Sequence, residues 1–139
     1  MGLKITTPIT VRYCETDQMG VVHHSRYFPW FEAGRTDFIR QLGLSYRELE
    51  EIGLLLPLTK AAAKYITGAK YEDKLEIETQ LTSLSMVRMT FSYRVVRCED
   101  VRLLATGSTV HAAVDRSFCP INLKKKYPQL WQQLFCALC

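Results

Sequence analysis

One carboxylate and two imidazoles stand close together near the start of the chain. Asp17 is followed by Gly20, His23 and His24, and an amphipathic pattern typical of a helix begins directly after them. The first N–H groups of a helix have no intrahelical acceptor and carry partial positive charge. Such a helix start can polarise a carbonyl group, and a nearby carboxylate can attack the carbonyl carbon or deprotonate a water molecule. We therefore interpret residues 11–42 as the active site.

The same residues allow other interpretations. Asp17 could be a solvated turn residue or a helix cap. His23 and His24 could be a metal pair, but adjacent residues in one turn rarely converge on one ion and no acidic residue has ligand spacing to them, so we predict no metal site. Cys14 could pair with His23 for nucleophilic catalysis. We expect Cys14 to be a buried, small apolar residue on a strand instead.

Two elements must position this polar group. Apolar and polar residues alternate over residues 9–14, through Ile9, Val11 and Tyr13, which predicts a strand that leads into the turn. Aromatic residues then recur at helical spacing and predict a helix over residues 25–41, with Ser25 as its N-cap. Gly43 ends that helix and Ala33-Gly34 at its middle would let a sheet approach closely. The stripe expected to face the core comprises Tyr27, Trp30, Phe31, Phe38 and Leu42.

The rest of the sequence predicts a short helix, four strands and a last helix. Ser45 and Glu48 form a capping-box pattern before Leu49 and Ile52, which we expect to face inward. Pro128 is typical of a first helical turn and opens the last helix. The predicted strands comprise residues 54–66, 74–81, 87–95 and 103–114. Strands joined by short turns pair antiparallel, so we predict an α+β fold in which one curved antiparallel sheet wraps around the long aromatic helix.

The composition fits one soluble domain, predicted to span residues 1–139. Of the 139 residues, 47% are apolar, which is enough for a hydrophobic core. The net charge of +4 is too small to argue for nucleic-acid binding and fits a protein that handles small anions. No apolar run approaches a membrane span, and the first residues lack the apolar core of a signal peptide.

The five cysteines are scattered and odd in number, which argues against a disulfide scaffold and for a reducing compartment. We therefore predict a cytoplasmic protein. Cys136 and Cys139 form a CxxC pair, but a zinc site would need two more ligands, so we expect this pair to be incidental.

The stretch ETDQMGVVHHSRYFPWFEAGR closely resembles the N-terminal signature of the 4-hydroxybenzoyl-CoA thioesterase family, which includes the YbgC-like and FadM-like acyl-CoA thioesterases. The later stretch KYEDKLEIETQL is similar to a strand of the same family. The resemblance implies the hotdog fold and hydrolysis of a coenzyme A thioester to a free acid and CoA. It also implies a homodimer whose sheets join edge to edge, or a dimer of such dimers, with the active site at the interface. No cofactor is implied, because coenzyme A is part of the substrate.

The resemblance assigns site residues by position. Asp17 matches the catalytic aspartate, and His24 matches the position whose main-chain N–H donates to the thioester carbonyl. Gly20 matches the glycine that lets the chain turn into the helix. Apart from the resemblance, the aromatic stripe itself places Tyr27 in the first turn of that helix, where we expect it to line the acyl pocket. Arg88 lies near the place where relatives use basic residues against the nucleotide phosphates.

Some alternatives stay open at this level. Asp17 can act as nucleophile or as general base, and the His24 side chain could itself be a base. A hotdog hydratase acting on enoyl thioesters is one rival, although its motif carries Asn-Pro before the histidine and this chain does not. A non-catalytic acyl-carrier-binding module is another, against which the retained Asp17 and Gly20 argue.

Two further groups of charged residues have less specific signals. Glu32 and Arg35 are expected to pair on the long helix or to anchor it to the sheet. Lys124, Lys125 and Lys126 could meet phosphates, but we favour a solvated run before the last helix.

Overall fold

One five-stranded sheet and one long helix dominate the structure. The computed structural model describes residues 2–138. The strands are β1 (Lys4–Thr10), β2 (Leu58–Tyr65), β3 (Lys74–Leu84), β4 (Arg88–Arg97) and β5 (Arg102–Ala112), all paired antiparallel in the order β1-β3-β4-β5-β2. The helices are α1 (Tyr27–Gln41), α2 (Tyr46–Glu51), α3 (Leu123–Lys126) and α4 (Pro128–Ala137). The predicted α+β class, with an antiparallel sheet packed on one long helix, is confirmed.

The alternation of burial explains the central strands. On β3, Leu75, Ile77 and Leu81 are buried, whereas the intervening Glu76 is exposed. Such a strand places one face on the core and the other toward solvent. The buried face packs against α1, and the predicted aromatic stripe is confirmed as core for the following residues: Tyr27, Trp30, Phe31 and Phe38. Leu42, the last member of the stripe, is half-buried.

Two glycines allow the helix and the sheet to touch. Gly34 of α1 lies directly over Thr79 of β3, where a Cβ would collide with the threonine hydroxyl. Gly107 of β5 leaves room for the ring of Phe31, which also stacks on Tyr93 with ring centroids 4.5 Å apart. The close approach predicted from Ala33-Gly34 is therefore confirmed for Gly34. Through Gly34 and Phe31, α1 contacts three adjacent strands, β3, β4 and β5.

The start of α1 differs from the prediction. A single 3₁₀ turn, His24–Arg26, precedes the helix. The N-cap of that turn is His23 and the N-cap of α1 is Arg26, so the predicted cap, Ser25, lies inside the turn. The Ser25 hydroxyl contacts His23 Nδ1 at 2.8 Å inside this turn. Pro29 is the third residue of α1, where the missing N–H costs little because first-turn N–H groups have no intrahelical acceptor. The predicted end is confirmed, since Gly43 follows the helix with φ +87°.

The lead strand was predicted too late in the sequence. β1 covers Lys4–Thr10, and the chain leaves the sheet at Val11 to form a 3₁₀ turn, Tyr13–Glu15. Tyr13 is therefore exposed instead of lying on a strand, and so is Cys14, which corrects its expected burial. The cause is visible at the end of this turn, where Glu15 is directed into the core and the regular period-two alternation stops.

The remaining elements follow the sequence signals with three exceptions: β2 begins at Leu58 and not at residue 54, α3 (Leu123–Lys126) was not predicted, and Ile52 is exposed. Ser45 caps α2 by accepting from the Glu48 N–H at 3.1 Å, and Leu49 is buried as expected. Ile52 was expected to face inward but is 53% exposed, because it lies just beyond the last turn of α2. α4 begins at Pro128 as predicted. Cys139 of the CxxC pair lies outside the described residues.

The helices of residues 2–138 include none that combines the length and apolar character needed to cross a membrane. α4 packs beside the end of α1, where the Gln133 side chain donates to the Leu42 carbonyl at 2.8 Å. The Leu3 N–H donates to the Ala137 carbonyl at 3.0 Å, so the first and last described segments are held together. The sheet is left with β1 and β2 as its two edges.

Candidate active site

A closed loop carries Asp17. Its N–H donates to the Val21 carbonyl at 2.9 Å, and its carbonyl accepts from the Gly20 N–H at 3.0 Å. Gly20 has φ +81° with no atom near a hypothetical Cβ, so glycine is needed there for backbone conformation and not for space. The loop is pinned from one side by Gly68, where a Cβ would lie 2.6 Å from the Val21 side chain.

The Asp17 side chain has only one oxygen engaged in the loop. Oδ1 accepts from the Met19 N–H at 2.9 Å, an Asx turn that fixes the carboxylate on the loop surface. Oδ2 has no hydrogen-bond partner within residues 2–138, and the side chain is half-buried. The turn role and a chemical role are therefore compatible, because one oxygen holds the group in place and the other remains available.

The turn before α1 has one N–H that is not used. Within this turn the Ser25 N–H donates to His23 Nδ1 at 3.3 Å and the Arg26 N–H donates to the His23 carbonyl at 3.0 Å. The N–H of His24 has no acceptor in the described part of the chain. It stands at the start of the 3₁₀ turn that leads into α1, where an unpaired donor and the helix dipole favour a developing negative charge.

Asp17 and His24 line the same cleft. The cleft has a volume of about 280 Å³, and its walls include Asp17, His24 and Tyr27. The structure therefore brings together three of the predicted site residues, next to the Gly20 turn. The other lining residues are mostly apolar or small: Met19, Val21, Val22, Tyr65, Ile66, Thr67 and Gly68.

Two tyrosines shape the wall next to His24. Tyr27 is buried, and its ring lies 5.1 Å from the ring of Tyr65, edge to face. Burial raises the pKa of the Tyr27 hydroxyl, so Tyr27 stays neutral and acts as an apolar wall with a polar tip. The Tyr65 hydroxyl donates to the His24 carbonyl at 3.2 Å and so holds the peptide next to the free N–H. Tyr65 was not predicted, because its strand pattern carries no sign that it reaches this turn.

A second residue missed from the sequence is Glu15. Its side chain is buried, with Oε2 accepting from Trp30 Nε1 at 3.0 Å and Oε1 accepting from the Arg12 N–H at 2.8 Å. The Glu15 carbonyl also accepts from the His23 N–H at 2.9 Å. Glu15 thereby ties the Asp17 loop to α1. A tryptophan on a core helix needs an acceptor for its N–H, and that need was the available signal.

The histidine pair is arranged as a stack. The rings of His23 and His24 lie 4.1 Å apart, and both side chains are exposed. Within residues 2–138 they belong to no group of three or more histidine, cysteine or acidic side chains that could hold a metal ion. The His24 ring also packs on Tyr65, with centroids 6.4 Å apart.

Arg88 is not part of this cleft within one chain. It begins β4 opposite Ala112 of β5, whereas Tyr65 of the cleft pairs with Ala105. Seven residues of β5 separate the two positions, or about 23 Å of strand. The three lysines lie near Arg88, because the Leu123 N–H at the start of α3 donates to the Met86 carbonyl at 2.7 Å, beside the β3–β4 turn.

Comparisons with known proteins identify the family of the chain. The family model of the thioesterase-like superfamily matches residues 11–126. The chain is 34% identical to the putative acyl-CoA thioesterase YneP of Bacillus subtilis, over 86% of this chain and 87% of that protein. It is 30% identical to the acyl-CoA thioester hydrolase YbgC of Escherichia coli, over 86% and 85% of the two chains. A crystal structure of DHNA-CoA thioesterase from Staphylococcus aureus superposes with a TM-score of 0.88 at 34% identity, covering 96% of this chain and 89% of that one.

The matched region contains the whole Asp17 loop, α1 and all of β2 to β5. Relatives at this level of identity and coverage share the fold and the class of reaction. The chain therefore belongs to the thioesterase-like superfamily, has the hotdog fold and is a thioester hydrolase.

Proposed function

We propose that the protein hydrolyses acyl-CoA thioesters at the cleft formed by Asp17, His24 and Tyr27. The observation that carries this proposal is that Asp17, which has an available carboxylate oxygen, and His24, which has an unpaired N–H, line one cleft. The relatives YneP and YbgC, whose names specify acyl-CoA thioesters, support coenzyme A as the leaving group.

In the proposed reaction the thioester carbonyl oxygen accepts a hydrogen bond from the His24 N–H. That donor and the positive end of α1 stabilise the negative charge that develops on the oxygen as the carbon is attacked. One such donor contributes about 2.7–4 kcal/mol of transition-state stabilisation in a well-measured case. The tether from the Tyr65 hydroxyl to the His24 carbonyl keeps the donor fixed, so little reorganisation is needed during the reaction.

Asp17 supplies the attack in one of two ways. Its free oxygen either adds to the carbonyl carbon and expels the CoA thiolate, which leaves an anhydride for water to open, or it removes a proton from the water that attacks. A single turnover in ¹⁸O-labelled water tests for the nucleophilic route. Label appearing in the Asp17 carboxylate requires that route, because a general base exchanges no carboxylate oxygen, and the general-base route places all of the label in the released acid.

We further propose that the working unit is at least a homodimer joined through β2. Of the two edge strands, β1 contains Pro8, which has no N–H to donate, whereas β2 carries alanines at residues 61–63 and is exposed along most of its length. Two copies of one strand that pair about a two-fold axis must run antiparallel. The Tyr65 end of one β2 would then lie next to the Leu58 end of the partner's strand.

In this dimer Arg88 can reach the cleft of the partner chain, although it is far from the cleft of its own chain. Leu58 pairs with His111 of β5, and Arg88 begins the strand beyond it. The partner's Arg88 would therefore stand about two strand spacings, roughly 10 Å, from the strand end that meets the first cleft. We propose that the partner's Arg88, and more weakly the partner's Lys124, Lys125 and Lys126, bind the phosphates of coenzyme A.

The experiment that tests the function is a panel of acyl-CoAs scored by free thiol. Short, long, branched and aromatic acyl groups identify the acid, and thiol release is expected for at least one of them. A hydratase would consume an enoyl-CoA without releasing thiol. Binding of acyl-CoA with no thiol release from any member of the panel would contradict hydrolysis and favour a binding module.

The assembly is tested by light scattering on active fractions. The proposal predicts that thiol release coincides with a mass of at least two chains. A monomer that retains full activity would contradict it.

A further inference from the structure

The last helix carries a row of aromatic residues that lies outside the cleft. Tyr127, Trp131 and Phe135 recur at intervals of four residues, so they lie along one flank of α4, and we refer to them as the aromatic row. The rings of Trp131 and Phe135 are stacked, with centroids 6.5 Å apart. The neighbouring flank is buried through Leu130 and Leu134, whereas Phe135 is 56% exposed. The row therefore continues the apolar face of α4 out of the core and onto the molecular surface.

The rest of the surface of α4 is uncharged. Pro128–Ala137 contains no aspartate, glutamate, lysine or arginine, and its exposed polar side chains include Gln129, Gln132 and Gln133. A surface helix normally carries charged residues on the face that points to solvent. Removing uncharged groups from water is far less unfavourable than removing charged ones. The exposed side of α4 can therefore be covered by another surface with little loss of hydration.

Three lysines stand next to the first residue of the aromatic row. Lys124, Lys125 and Lys126 are all exposed, and Lys126 Nζ lies 5.8 Å from the centroid of the Tyr127 ring. None of the three forms an ion pair with a carboxylate of residues 2–138. Their positive charge is thus uncompensated and adjoins the aromatic surface.

The aromatic row also meets the end of α2. The hydroxyl of its tyrosine donates to the Ile52 carbonyl at 3.0 Å, and Ile52 is 53% exposed, so it extends the apolar surface. Two cations accompany the two carboxylates that precede Ile52. Arg47 pairs with Glu51 at 3.5 Å, and Arg116 donates to the Glu50 carbonyl at 3.1 Å. The end of α2 therefore adds little net charge, and the lysines determine the sign of this surface.

Charge and shape together match an anionic lipid bilayer. Lysines beside an aromatic flank are typical of helices that lie in a membrane interface, where the rings enter the headgroup region and the lysines meet anionic lipids. A helix flank is convex, so a fluid bilayer can surround it, whereas a protein partner would need a groove that fits the row.

We propose that α4 docks the protein on the surface of an anionic bilayer. Trp131 and Phe135 enter the headgroup region, and Lys124, Lys125 and Lys126 lie against the anionic headgroups. The helix lies along the surface and does not cross the bilayer.

This surface is separate from the cleft. The Gln133 side chain of α4 donates to the carbonyl of Leu42, just beyond the end of α1, whereas the cleft lies at the start of α1. α1 spans 15 residues, or about 22 Å. Docking through α4 therefore does not depend on the proposed hydrolysis.

The test combines tryptophan emission with co-sedimentation on vesicles of phosphatidylcholine, alone or mixed with phosphatidylglycerol. The chain has two tryptophans, and Trp30 is 3% exposed in the core, so the emission change should come from Trp131. The protein should sediment with the mixed vesicles only, its emission should shift to shorter wavelength, and added salt should release it. In Trp131→Phe the shift should disappear while sedimentation is retained.

Paired variants separate the contributions of charge and of the aromatic row. Lys124→Gln combined with Lys125→Gln should weaken vesicle binding by about 30-fold, the effect of two cations at an anionic surface. Lys60→Gln combined with Lys64→Gln removes the same charge from exposed positions on the edge strand β2 and should leave binding unchanged. Phe135→Gln should weaken binding by about 5- to 10-fold, and Phe135→Leu should retain most of it.

Three results would each overturn the proposal: no sedimentation with the mixed vesicles, equal binding to phosphatidylcholine alone, or equal losses in the two lysine pairs. Soluble polyglutamate tests an acidic protein surface as the alternative partner. Binding to polyglutamate without an emission shift on mixed vesicles would decide for that alternative and against the bilayer. No acyl-CoA is present in these measurements, so a negative result leaves the hydrolysis proposal untouched.

Discussion

At the scale of single residues, the Asp17 loop depends on a backbone conformation that only glycine adopts easily. Gly20→Ala should destabilise the fold by about 1–2 kcal/mol through left-handed strain and should also lower kcat, because the loop can relax only by moving Asp17. Gly43 offers a matched control, with φ +87° and equally open surroundings but no contact with the cleft. Gly43→Ala should cost similar stability in urea unfolding and leave kcat unchanged. Equal kcat losses in the two variants would contradict a local role for Gly20.

The carboxylate of Glu15 holds the Asp17 loop in its conformation. Each of its carboxylate oxygens accepts one N–H, from Arg12 and from Trp30. In Glu15→Gln the amide must turn its NH₂ toward one of these donors, so one buried N–H loses its acceptor. We expect a loss of about 1–3 kcal/mol in the free energy of unfolding, together with a lower kcat. Unchanged stability in urea would show that the carboxylate is not needed there.

At the scale of elements, a chain of hydrogen bonds crosses the core from α1 to the sheet. Arg35 can only donate, and it donates to the Tyr93 hydroxyl, which lies 2.6 Å from Thr109 Oγ1. Thr109 lies 2.9 Å from His111 Nε2, and His111 Nδ1 lies 3.1 Å from the Leu56 carbonyl, which can only accept. Donors and acceptors match along this chain when His111 is neutral and protonated on Nδ1.

This network predicts a pH dependence of stability. Burial lowers the pKa of His111 to about 4, whereas an unfolded histidine titrates near 6.5. Below pH 6.5 the unfolded state binds a proton that the folded state does not, so stability falls as the pH is lowered from about 6.5 to about 4. The loss attributable to His111 is roughly 3 kcal/mol.

Urea unfolding between pH 4 and pH 8 measures this loss. His111→Asn keeps a donor for the Leu56 carbonyl but cannot take up a proton, so it should be less stable at pH 8 and should lose less stability on acidification. His23→Ala, which removes an exposed histidine that caps the turn before α1, serves as the control: it should be less stable at pH 8 but should lose as much stability on acidification as the parent. A His111→Asn curve parallel to that of the parent would show that His111 is not the cause.

The elements themselves could largely be predicted from the sequence, because local periodicity determines them. β3 and β4 alternate cleanly, α1 carries its aromatic stripe and Gly43, and α4 opens on Pro128. The errors arise where a distant partner decides the conformation. β1 ends early because Glu15 turns inward to reach Trp30, and Ile52 is exposed because α2 stops one residue before it.

The candidate site likewise contains residues that could be predicted from the sequence and residues that could not. Asp17, Gly20 and His24 share one contiguous motif, so their proximity could be predicted. Tyr65 comes from an edge strand and Glu15 acts through a side chain on another turn, and neither pairing is visible in a linear pattern. The network from Arg35 to His111 joins α1, β4 and β5, so it too could be seen only in three dimensions.

At the scale of the whole molecule, the proposed dimer makes the position of Arg88 testable. Arg88→Ala should raise KM with little change in kcat, because phosphate contacts far from the reacting carbon stabilise the ground and transition states alike. Arg102→Ala, at an exposed arginine of β5, should leave KM unchanged. An unchanged KM in Arg88→Ala would remove Arg88 from the site.

Mixed dimers show whether Arg88 acts across the interface. When Asp17→Asn chains are combined with Arg88→Ala chains, one of the two sites regains both Asp17 and the partner's Arg88. Activity with the parent KM should then return, at a fraction set by the proportion of mixed dimers. If Arg88 acted within its own chain, no mixture of these two variants would show the parent KM.

The most direct test of the central claim compares kcat for thiol release in three variants. Asp17→Asn keeps the size of the side chain but loses its charge, so kcat should fall by about 10²–10⁴-fold. His24→Ala keeps the N–H and should lose little. His24→Pro removes the N–H at the first position of a turn, where proline is well tolerated, and should lose about 10²–10³-fold. An inactive His24→Ala enzyme beside an active Asp17→Asn enzyme would contradict the account and would assign the chemistry to the imidazole, whereas an active His24→Pro enzyme would contradict the role of the N–H.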